Sequence, residues 1–390
     1  MFNTISKFLR LRLFIITIPV ITLFTDPAHT QSVWESDKHS IHGQIRTGYY
    51  FIETRNNAGG ITTTPEWRLR ARLGITYRFN EQLNFTARLA GRYSTVQESF
   101  EFWYQPYAAS PGGLRLGQTA FDIFYLQWDD GKRWMMQAGR MQHGFNLKGI
   151  LAKGLDRYHS PNVSIAWADG MWLRYLFHND WYIHGIFQFN HSKGSTSLFS
   201  PPLYFNEPGS RISYFLGIEG RETTGIWNQR ELSITLIPSS FRNGENELSN
   251  YWALTGRLGI NVPLDIPFMD VMIAGAAGYA PTTPAKRQLN LSNVTLKTED
   301  AFAFQASINF QNIFGPHNFG ILYGRTDPGW LLAPSFRNNT NTLEVRHQYR
   351  FNRRLSSEIR YRIRNQLYIP LDAMNKRKDY DLYARITYRF

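Results

Sequence analysis

The sequence predicts an all-β fold, an up-and-down antiparallel β-barrel of about 16 strands that crosses a membrane. Three observations carry this: a secretory start, an apolar period of two that recurs along the chain, and links that alternate short and long. Two irregular segments leave 14 or 18 strands as alternatives. An even number follows from both the N- and C-termini lying on the periplasmic side.

Composition excludes the competing classes. Of 390 residues, 43% are apolar and only 19% charged, which rules out a disordered chain. Mean hydropathy is −0.37, and no apolar run reaches the about 20 residues of a membrane-spanning helix. The absence of cysteine removes disulfides, thiolate zinc sites and cysteine nucleophiles.

Lys7, Arg10 and Arg12 precede an apolar stretch from Leu13 to Phe24, and Ala28-His29-Thr30 supplies small residues near a cut before Gln31. Twelve apolar residues are too few to span a bilayer, which takes about 17–25. Residues 1–30 are therefore expected to be a signal peptide and residues 31–390 the barrel domain. Removing three basic residues and Asp26 lowers the formal charge from +13 to +11, so the mature chain stays basic.

The strands follow in order. The first is 40–52. In 66–79, Trp67, Leu69, Ala71, Leu73, Ile75, Tyr77 and Phe79 share one face, while Arg68, Arg70, Arg72, Thr76 and Arg78 share the other. Helical spacing would scatter those arginines around an axis. In 83–93, Leu83, Phe85, Ala87, Leu89 and Tyr93 oppose Asn84, Thr86, Arg88 and Arg92. Less regular alternation marks 119–128, 133–140, 170–177, 181–190, 211–219, 230–237, 251–262, 268–279, 300–310 and 317–325, with 119–128 and 268–279 the poorest. In 343–351, Leu343, Val345, Tyr349 and Phe351 oppose Glu344, Arg346, Gln348 and Arg350. Within 358–364, Ile359, Tyr361 and Ile363 oppose Glu358, Arg360, Arg362 and Arg364. The last, 380–390, sets Tyr380, Leu382, Ala384, Ile386, Tyr388 and Phe390 against Asp381, Tyr383, Arg385, Thr387 and Arg389.

Short links are expected at 80–82, 129–132, 178–180, 263–267, 311–316 and 352–354. Long ones are expected at 53–65, 95–118, 141–169, 191–210, 238–250, 280–299, 326–340 and 365–378. Tight periplasmic turns and longer external loops give a barrel this rhythm. The motif Tyr77-Arg78-Phe79 returns as Tyr349-Arg350-Phe351 and Tyr388-Arg389-Phe390, each where a strand should reach the periplasmic rim.

The export signal, the amphipathic strands and the terminal Tyr388-Arg389-Phe390 resemble a Gram-negative outer-membrane β-barrel of the porin class. The resemblance implies residence in the outer membrane, contact with its lipid, and recognition by the barrel-assembly machinery through Phe390. The Arg-rich strand 66–79 and Gly139-Arg140-Met141-Gln142-His143-Gly144 are similar to porins of the alginate-export type. That likeness implies an acidic-polysaccharide conduit as an alternative.

Barrel closure makes the two ends of the sequence neighbours. The inward candidates then run Arg346 and Arg350; Arg360, Arg362 and Arg364; Arg385 and Arg389; Arg46; Arg68, Arg70, Arg72 and Arg78; Arg88 and Arg92. Inward acids there are Glu344, Glu358 and Asp381. The faces of 181–190, 251–262 and 300–310 offer His184, Gln188, Asn190, Thr255, Gln305, Ser307 and Asn309, with Arg257 alone charged. A basic strip on one wall of the lumen is expected. Guanidinium groups keep their charge and bind carboxylate or phosphate through a fixed fork, so the strip would favour anions.

By the same resemblance, link 141–169 is a candidate constriction loop, with His143, Lys148, Lys153, Asp156, Arg157 and His159 beside Phe145, Leu147, Ile150 and Leu151. An external loop over the mouth is the other reading. Loop aromatics such as Phe100, Phe102, Trp103, Tyr104, Tyr107 and Trp330 suit girdle or packing roles better than sugar stacking.

No catalytic, metal or cofactor site is expected. His191 and Ser192 are adjacent and would point to opposite faces of a strand, with no third orienting group. Asp129-Asp130 and Glu299-Asp300 read as turn punctuation. The basic residues alternate with apolar ones, unlike an exposed nucleic-acid surface. The sequence thus predicts a non-enzymatic anion-passing pore, with a barrel hydrolase and an adhesin as remoter alternatives.

Overall fold

The structure, a computed structural model, describes residues 34–95, 119–142, 144–156, 168–178, 180–190, 211–220, 225–243, 247–264, 266–293, 299–332 and 336–390. The expected signal peptide, residues 1–30, lies outside them. Every regular element among the described residues is a strand. They are β1 (Trp34–Glu35), β2 (His39–Arg55), β3 (Ile61–Arg78), β4 (Leu83–Ser94), β5 (Thr119–Asp129), β6 (Trp134–Met141), β7 (Ala168–His178), β8 (Trp181–Asn190) and β9 (Arg211–Gly220). The second half comprises β10 (Trp227–Asn243), β11 (Glu247–Val262), β12 (Asp270–Ala280), β13 (Ala301–Ile313), β14 (His317–Thr326), β15 (Thr340–Arg350), β16 (Leu355–Gln366) and β17 (Lys378–Arg389).

Each strand from β2 to β17 pairs antiparallel with the next, and β17 pairs back onto β2, with Arg46 opposite Thr387 and Gly48 opposite Arg385. The result is a closed barrel of sixteen strands; the two-residue β1 folds back antiparallel on the start of β2, with Trp34 opposite Ile41. Closure leaves no free edge where neighbouring strands overlap, and there the ladder satisfies the backbone without water. Gly43 donates its N–H to the Phe390 carbonyl at 2.7 Å, and Phe390 donates back to the Gly43 carbonyl at 3.1 Å. The start of β2 and Phe390 thus share the barrel end that carries the short turns.

The outer face is apolar. Leu69, Leu73, Ile75, Leu216, Leu232, Phe302 and Ile359 are all exposed, as a lipid-facing band requires. At the end carrying Phe390, aromatic pairs close the band: Tyr77 with Phe79 at 4.9 Å, Tyr349 with Phe351 at 4.7 Å, and Tyr388 with Phe390 at 5.8 Å. The threefold Tyr-Arg-Phe echo is therefore one girdle.

Two expected long links are short. β2 and β3 pair up to Arg55 opposite Ile61, leaving only 56–60 between them. Likewise β10 and β11 run to Asn243 and resume at Glu247, where a long link at 238–250 was expected. In both places polar residues continue the ladder past the lipid band, and polarity alone does not end a strand.

The two poorly alternating segments have different causes. In β5 the register slips between Arg88 and Leu89, which face Ile123 and Phe121. The extra residue, Asp122, is left at a bulge, so Phe121 and Phe124 pack against each other at 5.8 Å. In β12 both faces are apolar, since inward Met272, Ala274, Ala276 and Ala280 are buried beneath a loop.

Candidate functional site

That loop is the segment after β6. From Gly144 to Asp156 it lies inside the barrel and packs on the inner faces of β8 to β15. Leu147, Leu151 and Leu155 are fully buried in one cluster with Tyr251, Ala253, Met272, Ala274, Ala303 and Leu322. Small inner residues make room. Gly149 (φ +103°) sits so close to the wall that a Cβ would lie 2.7 Å from the Asn309 side chain and from Met272.

The wall's polar residues bind this loop. Asn309 Oδ1 accepts from the Ile150 N–H at 3.0 Å, and Gln305 Nε2 donates to the Lys153 carbonyl at 2.9 Å. Gln229 accepts from the Lys148 N–H at 2.8 Å and donates to the Asn146 carbonyl at 2.8 Å. Of the charged loop candidates, Lys148 donates from Nζ to the Asn228 carbonyl at 2.5 Å. Lys153 is buried, 3.0 Å from Glu344. Asp156 is buried in an ion pair with Arg257 and accepts from Ser233 at 3.1 Å. His143, Arg157 and His159 lie outside the described residues. The loop's first half is held by Phe145, whose ring lies 4.5 Å from Phe215 and 5.1 Å from buried His184.

A second segment, after β14, reinforces the first. Trp330, Leu331, Leu332 and Phe336 are buried in the same cluster. The Trp330 indole N–H donates to the Leu155 carbonyl at 3.3 Å. Trp330 packs rather than presenting a stacking face; the other loop aromatics, Phe100 to Tyr107, are outside the described residues. The polar wall of His184, Gln188, Thr255, Gln305, Ser307 and Asn309 is accordingly buried.

Across the lumen stands the arginine wall, on β2 to β4 and β15 to β17. Arg46, Arg68, Arg70, Arg72, Arg88, Arg346, Arg360, Arg362, Arg364 and Arg385 share its inner face, and eight of them meet carboxylates. Arg72 lies 3.0 Å and Arg88 2.9 Å from Asp122. Arg346 lies 2.5 Å from Glu344, Arg385 2.8 Å from Glu358, Arg360 2.6 Å from Asp381, and Arg364 3.8 Å from Asp379. Arg362 shares Asp381, and Arg68 pairs with Glu66. Aromatic faces add to this, with Arg68 4.3 Å from the Tyr50 ring centre and Arg360 4.1 Å from that of Tyr383. The wall is thus more compensated than the expected three acids imply.

Arg46 and Arg70 differ. They stand directly opposite each other on β2 and β3, and neither has a carboxylate oxygen within ion-pair distance among the described residues. Arg46 donates to Thr387 Oγ1 at 3.2 Å, and Arg70 to Gln44 Oε1 at 2.5 Å. Arg92 continues the row, opposite Arg70 on β4, though its side chain is outside the described set. Arg78 is at the rim beside Glu35, at 3.3 Å. Arg350 is also at the rim and exposed, away from the wall.

Sequence reasoning missed Asp122, Asp379 and Glu66. Asp122 was hidden by the bulge. Asp379 lies just before the expected start of the last strand, in phase with Asp381, and Glu66 is in phase with Arg68; strand parity could have found both.

The barrel is similar to solved outer-membrane porins. *Pseudomonas putida* OprB at high pH matches with a TM-score of 0.57 and 9% identity, over 90% of this chain and 94% of that one. *Salmonella typhi* OmpF in complex with daunomycin matches at 0.55 and 13%, over 92% and 99%. An anion-selective porin from *Comamonas acidovorans* matches at 0.51 and 8%, over 90% and 99%. No family model and no curated protein sequence matches the chain. With its closed sixteen strands and apolar outer band, the chain has the fold of the Gram-negative outer-membrane porins.

Proposed function

We propose that the protein is a non-enzymatic outer-membrane channel through which anionic solutes diffuse passively: carboxylates, phosphates or acidic saccharides. One observation carries the reading, the side-by-side placement of Arg46 and Arg70 on the inner face with no carboxylate of the described residues at ion-pair distance. Like charges directly opposite each other on a sheet repel. A passing anion relieves that repulsion by taking forked hydrogen bonds from both. The eight surrounding arginines, against the six carboxylates that they meet, extend the positive field along the wall. Several weak sites in series let an ion enter and leave. The inward loop supports a lumen narrow enough for that field to reach every ion. Export through cleavage before Gln31 and assembly through the terminal Phe390 belong to the same proposal.

The test is the reversal potential of the purified barrel in a planar bilayer under a KCl gradient. A potential on the chloride side is the expected result. A potential on the potassium side overturns the anion reading, and the absence of any conductance overturns the channel.

A further inference from the structure

We infer that His317 and His347 form a binding site for a divalent transition-metal ion, Cu2+ above all, on the outer face of the barrel at the end carrying Phe390. The two are diagonal neighbours on adjacent strands: His317 of β14 stands opposite Tyr349, and His347 of β15 stands opposite Phe319. Strand parity puts both on the outer face, in line with exposed Ile321, Tyr323 and Leu343. The lumen therefore makes no use of them.

Nδ1 of His317 lies 3.1 Å from Nε2 of His347. Metal–imidazole bonds are about 2.0–2.1 Å long. Two such nitrogens on one ion are about 2.9 Å apart at a right angle and about 3.3 Å apart at a tetrahedral one. The observed separation falls between these, so a small turn of each ring would aim both lone pairs at one ion without moving the backbone. Both rings are half-buried, and β14 begins at His317, beside the turn 314–316. The site thus lies at the interface, within reach of water, rather than deep in lipid. The Tyr349 ring stands edge-on to His317 at 4.8 Å and forms one side of it.

Without metal, one imidazole N–H donates to the other ring's lone pair. The contact needs a lone pair on one ring, and ligation needs one on each. Two donors leave the remaining coordination positions to water. A tetragonal ion accepts that arrangement, and Cu2+ heads the affinity order for imidazole nitrogen. The pairing of β14 with β15 brings the two rings together, so the ion would clip these strands and stabilise the fold by mass action.

The experiment is a CuCl2 titration of the folded full barrel in detergent, read by electron paramagnetic resonance and by thermal unfolding. The expected result is one Cu2+ per barrel, with hyperfine splitting from two imidazole nitrogens and a rise in Tm on adding Cu2+. His317→Asn and His347→Asn should each weaken binding by about tenfold or more and abolish the Tm rise. His39→Asn, at the same rim beside Tyr77, should change neither. Metal-free Tm values establish that the variants fold. Undiminished two-nitrogen Cu2+ binding in the double variant overturns the proposal, as does a folded wild-type barrel that takes up no Cu2+. Both readouts are independent of conductance, so the site and the channel reading stand or fall separately.

Discussion

Asp156 and Arg257 form an ion pair in which both side chains are fully buried, the carboxylate from the inward loop and the guanidinium from β11. Glu231 holds the guanidinium from a second side at 2.6 Å, and Ser233 donates to Asp156 at 3.1 Å. The pair pins the loop to the wall. Breaking a buried pair from one side costs about 3–5 kcal/mol, because the remaining charge stays desolvated.

Asp156→Asn should therefore loosen the loop while the sixteen-strand frame still assembles. The expected outcome is a larger and noisier single-channel conductance. A correctly assembled variant with wild-type conductance would show that this loop does not set the bore.

How far the sequence could be read follows from what each strand borders. β3, β15, β16 and β17 lie between lipid and a wet lumen, and that contrast writes itself as strict alternation, with Leu69 outward and Arg70 inward. β12 lies between lipid and a buried loop, so both faces are apolar and the period fades at Ala274 and Ala276. Strand parity placed the arginines on one face of each strand, but their carboxylate partners were not legible. Asp122 reaches Arg72 and Arg88 only through a bulge that no periodicity reveals. The loop's apolar spacing at Leu147, Leu151 and Leu155 was visible in sequence, while its seat on Asn309 and Gln305 depends on residues about 150 positions away.

Gly278 and Trp330 provide a test of the second inward segment. A Cβ at position 278 would lie 2.3 Å from the indole, and overfilling a packed site costs about 1–3 kcal/mol. Gly278→Ala should lower the thermal stability of the barrel. In a Trp330→Ala background the same substitution should cost nothing, since the obstructing ring is gone. An equal loss in both backgrounds would place the strain elsewhere.

Asp130 caps the turn between β5 and β6. Its carboxylate accepts the backbone N–H groups of Lys132, Arg133 and Trp134 at 2.8, 2.7 and 2.9 Å. These bonds, that from Lys132 foremost, hold its pKa below the ordinary aspartate value. A depressed folded pKa means that the cap's contribution is present above the unfolded value and is lost as pH falls through the folded one. A carboxyl-carbon NMR titration should show Asp130 protonating below the ordinary aspartate range. A midpoint at or above that range would mean that the three bonds are not kept in solution.

The strongest discrimination lies between compensated and uncompensated arginines. Arg364 lies 3.8 Å from Asp379, which also meets Arg337 at 2.5 Å and Arg377 at 3.0 Å, whereas Arg46 and Arg70 have no carboxylate of the described residues at ion-pair distance. Each substitution by glutamine removes one positive charge, so a lumen governed by net charge alone would respond equally at every site. A lumen governed by local field would not. Arg46→Gln and Arg70→Gln, singly and together, should move the reversal potential toward the cation side by much more than Arg364→Gln does. The Debye length is about 10 Å at 0.1 M salt and about 3 Å at 1 M. The difference between the variants should therefore be large in dilute KCl and shrink in concentrated KCl. Equal shifts for all three positions would show that the uncompensated pair has no special part in selectivity.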